Sequence, residues 1–186
     1  MKNKVWVDEI VEALADIVTY KDIKKGETLL KIGEVCDYVG RVEVGSLRMF
    51  YLDAEGKDTS FSFFLKKDIF THYEGLLTGT ASLMEIVALV DTRVLLIHKK
   101  ELFDLYESSF YWQKIGRLMS DAIFLNAKER IDFLLFYTPE QRYIYLQTHQ
   151  SSILEEVAQK HIASYIGIQP QSLSRIKKRL DSTKLT

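Results

Sequence analysis

Residues 162–180 read IASYIGIQPQSLSRIKKRL, and the first half of this stretch predicts a short helix that ends in a tight turn. Ile162, Tyr165 and Ile166 are spaced three and four residues apart, so they share one face of a helix. Gly167 follows them and ends that helix, because glycine adopts the left-handed conformation without a steric cost.

A second helix is predicted to begin at Pro170, since proline at a first helical position loses no useful hydrogen bond and has its φ angle already set. Leu173, Ile176 and Leu180 would face inward, and the outward side chains are small, polar or basic. Two short helices around a glycine turn, the second polar and basic on its outer face, predict a helix-turn-helix.

The outward face of the second helix suits duplex DNA. Arginine can bind a guanine edge through two hydrogen bonds, glutamine can bind an adenine, and small serines allow the backbone to approach phosphates. We predict Gln171, Ser174 and Arg175 as base-reading residues, and Gln169, Ser172, Lys177 and Lys178 as phosphate-binding residues. From Gln169 to Thr186 there are five basic residues and one acidic residue, on a chain whose net charge is −1, so positive charge is concentrated at this end.

The pattern I-A-S-Y-I-G-I-x-P-x-S-L-S-R-I at residues 162–176 is similar to the DNA-binding signature of the Crp/Fnr family of bacterial transcription regulators. A solvated surface helix is the alternative interpretation of the basic charge alone. That alternative explains neither the glycine turn nor the proline that follows it.

Length and composition are those of a globular protein. At 186 residues, 47% of them hydrophobic and 27% charged, the chain can bury a core as one compact unit or two small domains. No apolar run approaches the roughly 20 residues that span a membrane, and the first residues lack the apolar core of a signal peptide. Cys36 is the single cysteine, which excludes a disulfide framework, a thiolate zinc site and a four-cysteine iron–sulfur cluster within one chain. We expect a cytoplasmic protein with no membrane segment, metal or cofactor.

A helix over residues 5–18 is predicted to precede a region of short alternating apolar and polar runs, which are separated by turn signals. Several strands at this spacing predict an all-β sandwich or barrel, and a jelly-roll-like barrel would remove most open edges. The predicted strands are Leu29–Ile32, Tyr38–Val44, Leu47–Leu52, Thr59–Leu65, Met84–Val90 and Val94–His98.

This region also resembles the Crp/Fnr family, whose effector domain is a β-roll with the cyclic-nucleotide-binding fold. Nucleotide-binding members carry a Phe-Gly-Glu triplet and, further along, an Arg-Ser-Ala triplet whose arginine neutralises the phosphate. Here the first triplet corresponds to Phe70-Thr71-His72, and the arginine position to Ser82. The resemblance and these departures imply that cyclic AMP and cyclic GMP do not bind in the usual way.

The aromatic residues of the barrel leave two interpretations open: they line a pocket for an unknown small-molecule effector, or they fill the core. The predicted pocket residues are Phe61, Phe63, Phe70, Thr71, His72, Ser82 and Met84. His72 and His98 have no partner at the close spacing of a metal site, so we expect neither metal nor haem.

A long helix is predicted after Ser109, with apolar residues on two faces, which implies burial on two sides. One stripe is Ile115, Leu118, Ala122 and Leu125, and the other is Phe124, Ala127, Ile131 and Leu134. In the resembling family this is the dimerisation helix, and the first stripe is the predicted dimer interface; a long helix within a monomer is the alternative. Thr138 and Pro139 then predict the start of a new helix.

The predicted fold is therefore α+β: an N-terminal β-roll resembling a cyclic-nucleotide-binding effector domain (1–108), a dimerisation helix (109–137) and a C-terminal winged helix-turn-helix (138–186). The resemblance implies a homodimeric transcription regulator that binds a two-fold symmetric DNA site, with RNA polymerase as a further partner. A small-molecule sensor acting through a protein partner is the alternative. An enzyme is disfavoured, because no paired carboxylates, nucleophile elbow, P-loop or histidine cluster appears at useful spacing.

Overall fold

A computed structural model describes residues 14–183. These residues form eight strands, with one short helix between the sixth and seventh, and six further helices follow the last strand. The strands are β1 (Thr19–Ile23), β2 (Thr28–Leu30), β3 (Tyr38–Val44), β4 (Leu47–Leu52), β5 (Asp58–Phe64), β6 (Ile69–Phe70), β7 (Met84–Ala88) and β8 (Thr92–His98). The helices are α1 (Tyr73–Thr78), α2 (Lys99–Ser108), α3 (Phe110–Phe136), α4 (Pro139–His149), α5 (Ser151–Glu156), α6 (Gln159–Tyr165) and α7 (Pro170–Thr183). The helix predicted over residues 5–18 lies mostly outside the described residues, and residues 14–17 form a turn.

The strands make two four-stranded sheets, in the orders β1-β8-β3-β6 and β2-β7-β4-β5. Strand β8 pairs antiparallel with β1 and with β3, so Leu96 lies opposite Thr19 on one side and Gly40 on the other. Apart from the consecutive pair β4 and β5, neighbours in the sheets are not consecutive in sequence, which is the connectivity of a jelly-roll-like β-roll. The predicted α+β fold with an N-terminal roll and C-terminal helices is confirmed.

By compactness the chain divides into two units. The roll unit is Met1–Met49 with Phe63–Gln113, and the helical unit is Phe50–Ser62 with Lys114–Thr186. The helical unit thus contains most of the β4–β5 hairpin. The domain boundaries predicted at residues 108 and 137 stay predictions.

Within the roll unit, one core cluster lies where α1 and α2 pack against β8. Its buried members are Leu14, Leu76, Leu95, Ile97 and Leu102. Phe70 is also buried in this unit, and it lies directly opposite Gly40 in the β3–β6 pair. The Phe70 ring occupies the space above that glycine, since a Cβ added at Gly40 would lie 2.6 Å from Cε1 of the ring. Glycine at position 40 is therefore required by packing.

Within the helical unit, α4 begins where the sequence predicts. The Thr138 hydroxyl accepts a hydrogen bond from the Gln141 amide at 3.3 Å, and the Gln141 side chain accepts one from the Thr138 amide at 2.8 Å. This reciprocal pair is a capping box, with Pro139 in the first turn. The short helix α5 follows directly after α4 and ends at Glu156. Residues 99–183 contain no strand, so the strands of a wing are not among the described residues.

Candidate nucleic-acid interface and effector pocket

Helices α6 and α7 meet at the predicted glycine turn. Gly167 has a φ angle of +76°, and the N–H of Ile168 closes the turn on the carbonyl of Ala163 at 2.9 Å. The N–H groups of Ser172 and Leu173 then donate to the Gln169 carbonyl at 3.0 and 3.2 Å, which starts α7. The helix-turn-helix geometry that the sequence predicted is present.

The inward face of α7 is buried as predicted. Leu173 is only 1% exposed, Ile176 is buried, and Leu180 is half-buried. These side chains fix which side of the helix faces solvent, because they hold it against the rest of the helical unit.

The outward face of α7 carries most of the predicted DNA-binding residues. Gln171, Ser174, Arg175 and Lys178 are exposed, and their spacing of three, four and seven residues places them on one face. Gln169 is exposed at the start of the helix, and Ser172 and Lys177 are half-buried at the edges of this face. The Ser174 hydroxyl donates to the Pro170 carbonyl at 3.2 Å, which leaves its oxygen able to accept a further bond.

A neighbouring arginine points to a different partner. Arg179 forms an ion pair with Glu140 of α4 through two guanidinium nitrogens. This pair connects α7 to α4, and it neutralises the charge of one of the five basic residues counted at this end of the sequence. The exposed positive charge of the α7 face is therefore carried mainly by Arg175 and Lys178.

Arg142 holds the turn in place, and sequence reasoning missed it. Its guanidinium donates to the carbonyls of Phe133 at 3.0 Å, Leu134 at 2.5 Å and Ile166 at 2.8 Å. One side chain thus joins the end of α3 to the turn of the helix-turn-helix. No sequence signal could have found this contact, because all three acceptors are main-chain carbonyls, which every residue type carries.

The residues predicted as an effector pocket are mostly packed. Phe63, Phe70, His72, Ser82 and Met84 are buried, Thr71 and Phe61 are half-buried, and Phe61 belongs to the helical unit. The rings of Phe70 and Phe64 are 5.8 Å apart, and the Tyr38 ring meets Phe70 edge-on at 6.4 Å. This packing favours the core-filling interpretation over a hollow pocket.

The residues that align with the two nucleotide-binding triplets form hydrogen bonds with residues close to them in the fold. The His72 ring accepts a hydrogen bond from the Gly75 amide at 3.1 Å and so caps α1, while burial lowers the pKa of His72 and favours its neutral form. The Thr71 hydroxyl donates to the Tyr38 carbonyl at 2.9 Å. The Ser82 hydroxyl donates to the Met84 carbonyl at 2.8 Å and accepts from the Met84 amide at 3.0 Å. None of the three side chains offers a cation to a phosphate.

Two buried arginines of the roll unit were not assigned from the sequence. Arg41 on β3 and Arg48 on β4 are both buried, and Arg41 Nε lies 3.4 Å from a Glu43 carboxylate oxygen. Their positions within regular strands gave no signal, because an arginine in a strand is ordinarily read as solvent-facing.

Both apolar stripes of α3 are exposed except at Ile115. Ile115, from the predicted dimer interface, is already buried within its own chain, whereas Leu118, Ala122 and Leu125 are exposed. The second stripe is also exposed: Phe124 by 69% and Ile131 by 56%. Residues 14–183 therefore leave two apolar surfaces of this helix largely exposed.

The described part of the chain offers neither a metal site nor a membrane-spanning helix. Between residues 14 and 183 no three His, Cys, Asp or Glu side chains come together as metal ligands. No helix of that part of the chain is long and apolar enough to cross a bilayer.

Known proteins share the architecture of this chain. Residues 20–109 match the model of the cyclic nucleotide-binding domain, and no curated protein sequence matches the chain. FixK2 from Bradyrhizobium japonicum is similar in structure, with a TM-score of 0.77 and 20% identity over 90% of this chain and 86% of that one. A CooA variant from Carboxydothermus hydrogenoformans gives 0.71 and 15%, over 94% and 84% of the two chains.

A transcriptional regulator assigned to the Crp/Fnr family, from Eubacterium rectale, has a TM-score of 0.69 and 16% identity, over 98% of this chain and 89% of that one. At such identities the likeness establishes the fold, which extends over nearly the whole chain. Residues 20–109 are thus similar to cyclic nucleotide-binding domains, and the chain has the fold of the Crp/Fnr-family regulators.

Proposed function

We propose that the chain is a sequence-specific DNA-binding transcription regulator of the Crp/Fnr type. The observation that carries this proposal is the exposed face of α7, where Gln171, Ser174, Arg175 and Lys178 stand above the buried Leu173. Between Pro170 and Leu180 this helix carries four basic residues and no acidic one, and such a polar and basic face matches the groups that duplex DNA presents, which are phosphates and base edges.

The position of each residue on the helix determines whether we assign it to base edges or to phosphates. Gln171, Ser174 and Arg175 lie on the first exposed turns and are assigned to base edges in the major groove, because the first turns of a recognition helix reach deepest. Gln169, Ser172, Lys177 and Lys178 lie before or beside them and are assigned to phosphates.

The proposed active form is a homodimer paired through α3. Exposed large apolar side chains on one 27-residue helix, among them Phe124 at 69% and Leu125 at 61%, are costly in water. A helix of this length is about 40 Å long, which suits a parallel pair. Ile115 is buried in its own chain, so the proposed contacts of the first stripe are Leu118, Ala122 and Leu125. Such a dimer would present two recognition helices about 34 Å apart, to a two-fold symmetric site, where RNA polymerase would be a further partner.

Binding to genomic DNA fragments tests this proposal. We expect gel shifts to select fragments that share a two-fold symmetric sequence, nuclease footprints with two half-sites about one helical turn apart, and light scattering that gives twice the chain mass. Fragments selected without a common sequence, or a monomer that binds no fragment tightly, would contradict the proposal.

The usual cyclic nucleotides should leave this protein unaffected. The Ser82 hydroxyl forms hydrogen bonds with Met84, and the His72 ring caps α1. The positions that align with the two nucleotide-binding triplets therefore supply neither the cation nor the carboxylate that holds a cyclic nucleotide. We expect isothermal titration of cyclic AMP and cyclic GMP to show no heat of specific binding at micromolar ligand. Micromolar affinity for either one would contradict this prediction.

A further inference from the structure

The helical unit contains a contact between the β4–β5 hairpin and the first helix of the helix-turn-helix. Strand β5 is the last strand of its sheet, so its outer main-chain groups have no strand partner there. The Ser60 amide of β5 donates to the Ser164 hydroxyl of α6 at 2.9 Å, and that hydroxyl donates to the Asp58 carbonyl at 3.3 Å. The Ser60 hydroxyl donates to the His161 carbonyl at 3.2 Å. Helix α6 thus covers this part of the sheet edge.

Arg130 of α3 completes the same contact. One guanidinium nitrogen donates to the Ser60 carbonyl at 3.2 Å and to the Tyr165 carbonyl at 2.8 Å. The guanidinium carbon lies 3.8 Å from the centre of the Tyr165 ring, which is a favourable cation–π distance. A single cation therefore joins the long helix, the hairpin and the last residue of α6. We call the group of Ser60, Arg130 and Ser164 the hairpin clasp.

The environment of Arg130 makes it a costly residue for a purely structural role. Burial lowers the pKa of its guanidinium, and among the described residues its Nε and Nη1 atoms are buried without a hydrogen-bond partner. A buried cation with unsatisfied donors costs free energy that a neutral, well-packed side chain would avoid. This residue is better explained by a need to fix geometry than by stability alone.

We propose that the hairpin clasp positions the recognition helix, so that the β4–β5 hairpin forms part of the DNA-reading apparatus; this inference rests on the proposed DNA-binding function. On α6 the clasp holds the end of the helix through Ser164 and the Tyr165 carbonyl, and Gly167 of the turn follows three and two residues after them. Only a short turn connects the end of α6 to the start of α7, so the position of α6 sets the direction in which Arg175 and Lys178 point.

A loosened clasp should affect operator DNA and random DNA differently. Docking two recognition helices at fixed separation loses orientational freedom, and that loss grows when α6 is no longer anchored. Binding to random DNA depends mainly on charge and needs no fixed orientation. The clasp residues act through α7 and do not themselves touch DNA, so they are positioning residues.

Ser164→Ala and Arg130→Gln test the proposal against matched controls. Thr148→Ala removes an exposed hydroxyl that bonds within α4, and Arg117→Gln removes an exposed arginine of α3 paired with Asp121. For each full-length protein, fluorescence anisotropy gives the affinity for the selected operator and for random DNA. Hydrogen exchange measured by NMR gives the protection of the Ser60 amide and of the buried Leu146 amide.

We expect both clasp variants to lose roughly tenfold in operator affinity, with affinity for random DNA unchanged. The Ser60 amide should exchange faster in Ser164→Ala, Leu146 should stay protected, and both controls should behave as wild type. Ser164→Thr, which keeps the hydroxyl, should restore the ratio of operator to random affinity.

Unchanged operator affinity despite faster exchange at Ser60 would overturn the proposal, and so would a gain of affinity, which would make the clasp inhibitory. Equal losses on operator and random DNA would also overturn it. If the wild-type protein selects no DNA at all, the proposed function fails instead, and the exchange of Ser60 still reports whether the clasp forms.

Discussion

Arg175→Ala should weaken binding to the operator by roughly 1–3 kcal/mol and relax the preference for one base at each half-site. Arg175 is exposed on the face of α7 that also carries Gln171 and Ser174, and within residues 14–183 it forms no ion pair. A guanidinium in this position can make two hydrogen bonds to a guanine edge, and alanine can make none. Competition binding with single-base operator variants measures both effects.

Lys178→Ala provides the contrasting result. Its ammonium group is exposed one turn further along α7, where we assign it to a phosphate, so its loss should weaken all sequences alike and flatten the dependence of affinity on salt. Lys100→Ala is the matched control, since Lys100 is an exposed lysine of α2 that pairs with Asp104. If Arg175→Ala and Lys178→Ala lose equally on operator and random DNA, the division between base and phosphate contacts is wrong.

Phe70→Ala should lower the free energy of unfolding by about 3–5 kcal/mol. The ring is 1% exposed and fills the space over Gly40, so its removal leaves a cavity between β3 and the rings of Tyr38 and Phe64. Urea denaturation measures the loss. Phe110→Ala is the control, because Phe110 is 82% exposed and a change there should stay within about 0.5 kcal/mol.

A double-mutant cycle between Gly40 and Phe70 tests whether these two residues pack against each other. Gly40→Ala alone should destabilise by roughly 1–3 kcal/mol, because its Cβ would overlap the Phe70 ring. In a Phe70→Ala background the overlap is gone, so the same substitution should cost much less. Additive losses in this double-mutant cycle would show that the two positions do not pack as described.

Most of the fold could be predicted from local pattern. The spacing of Leu173 and Ile176, the left-handed Gly167 and the cap at Thr138 each act within a few residues, and the structure contains all of them. Strand β1 was missed because only Ile23 among its five residues is buried, so it shows no apolar alternation. Two other missed elements also have weak local signals. Strand β6 is only two residues long, and α1 is capped by His72, which is not among the usual capping residues.

The candidate DNA face was predictable for the same reason, since helical periodicity alone separates exposed Arg175 from buried Leu173. The predicted pocket was a weaker inference. Alternating aromatic residues predict which side chains point into a roll, but whether the space between them is empty depends on how strands distant in sequence pack. The closure of Phe70 over Gly40 is such a packing outcome.

The sequence by itself determined the β-rich first half, the helix-turn-helix and the polar face of its second helix, because each depends on the chemistry of side chains a few residues apart. Only the tertiary structure decided what holds that helix in place. Arg130 reaches Ser60 across 70 positions of sequence, and Arg142 reaches Ile166 across 24. Their acceptors are main-chain carbonyls, which are the same at every residue, so only the folded path of the chain could select them.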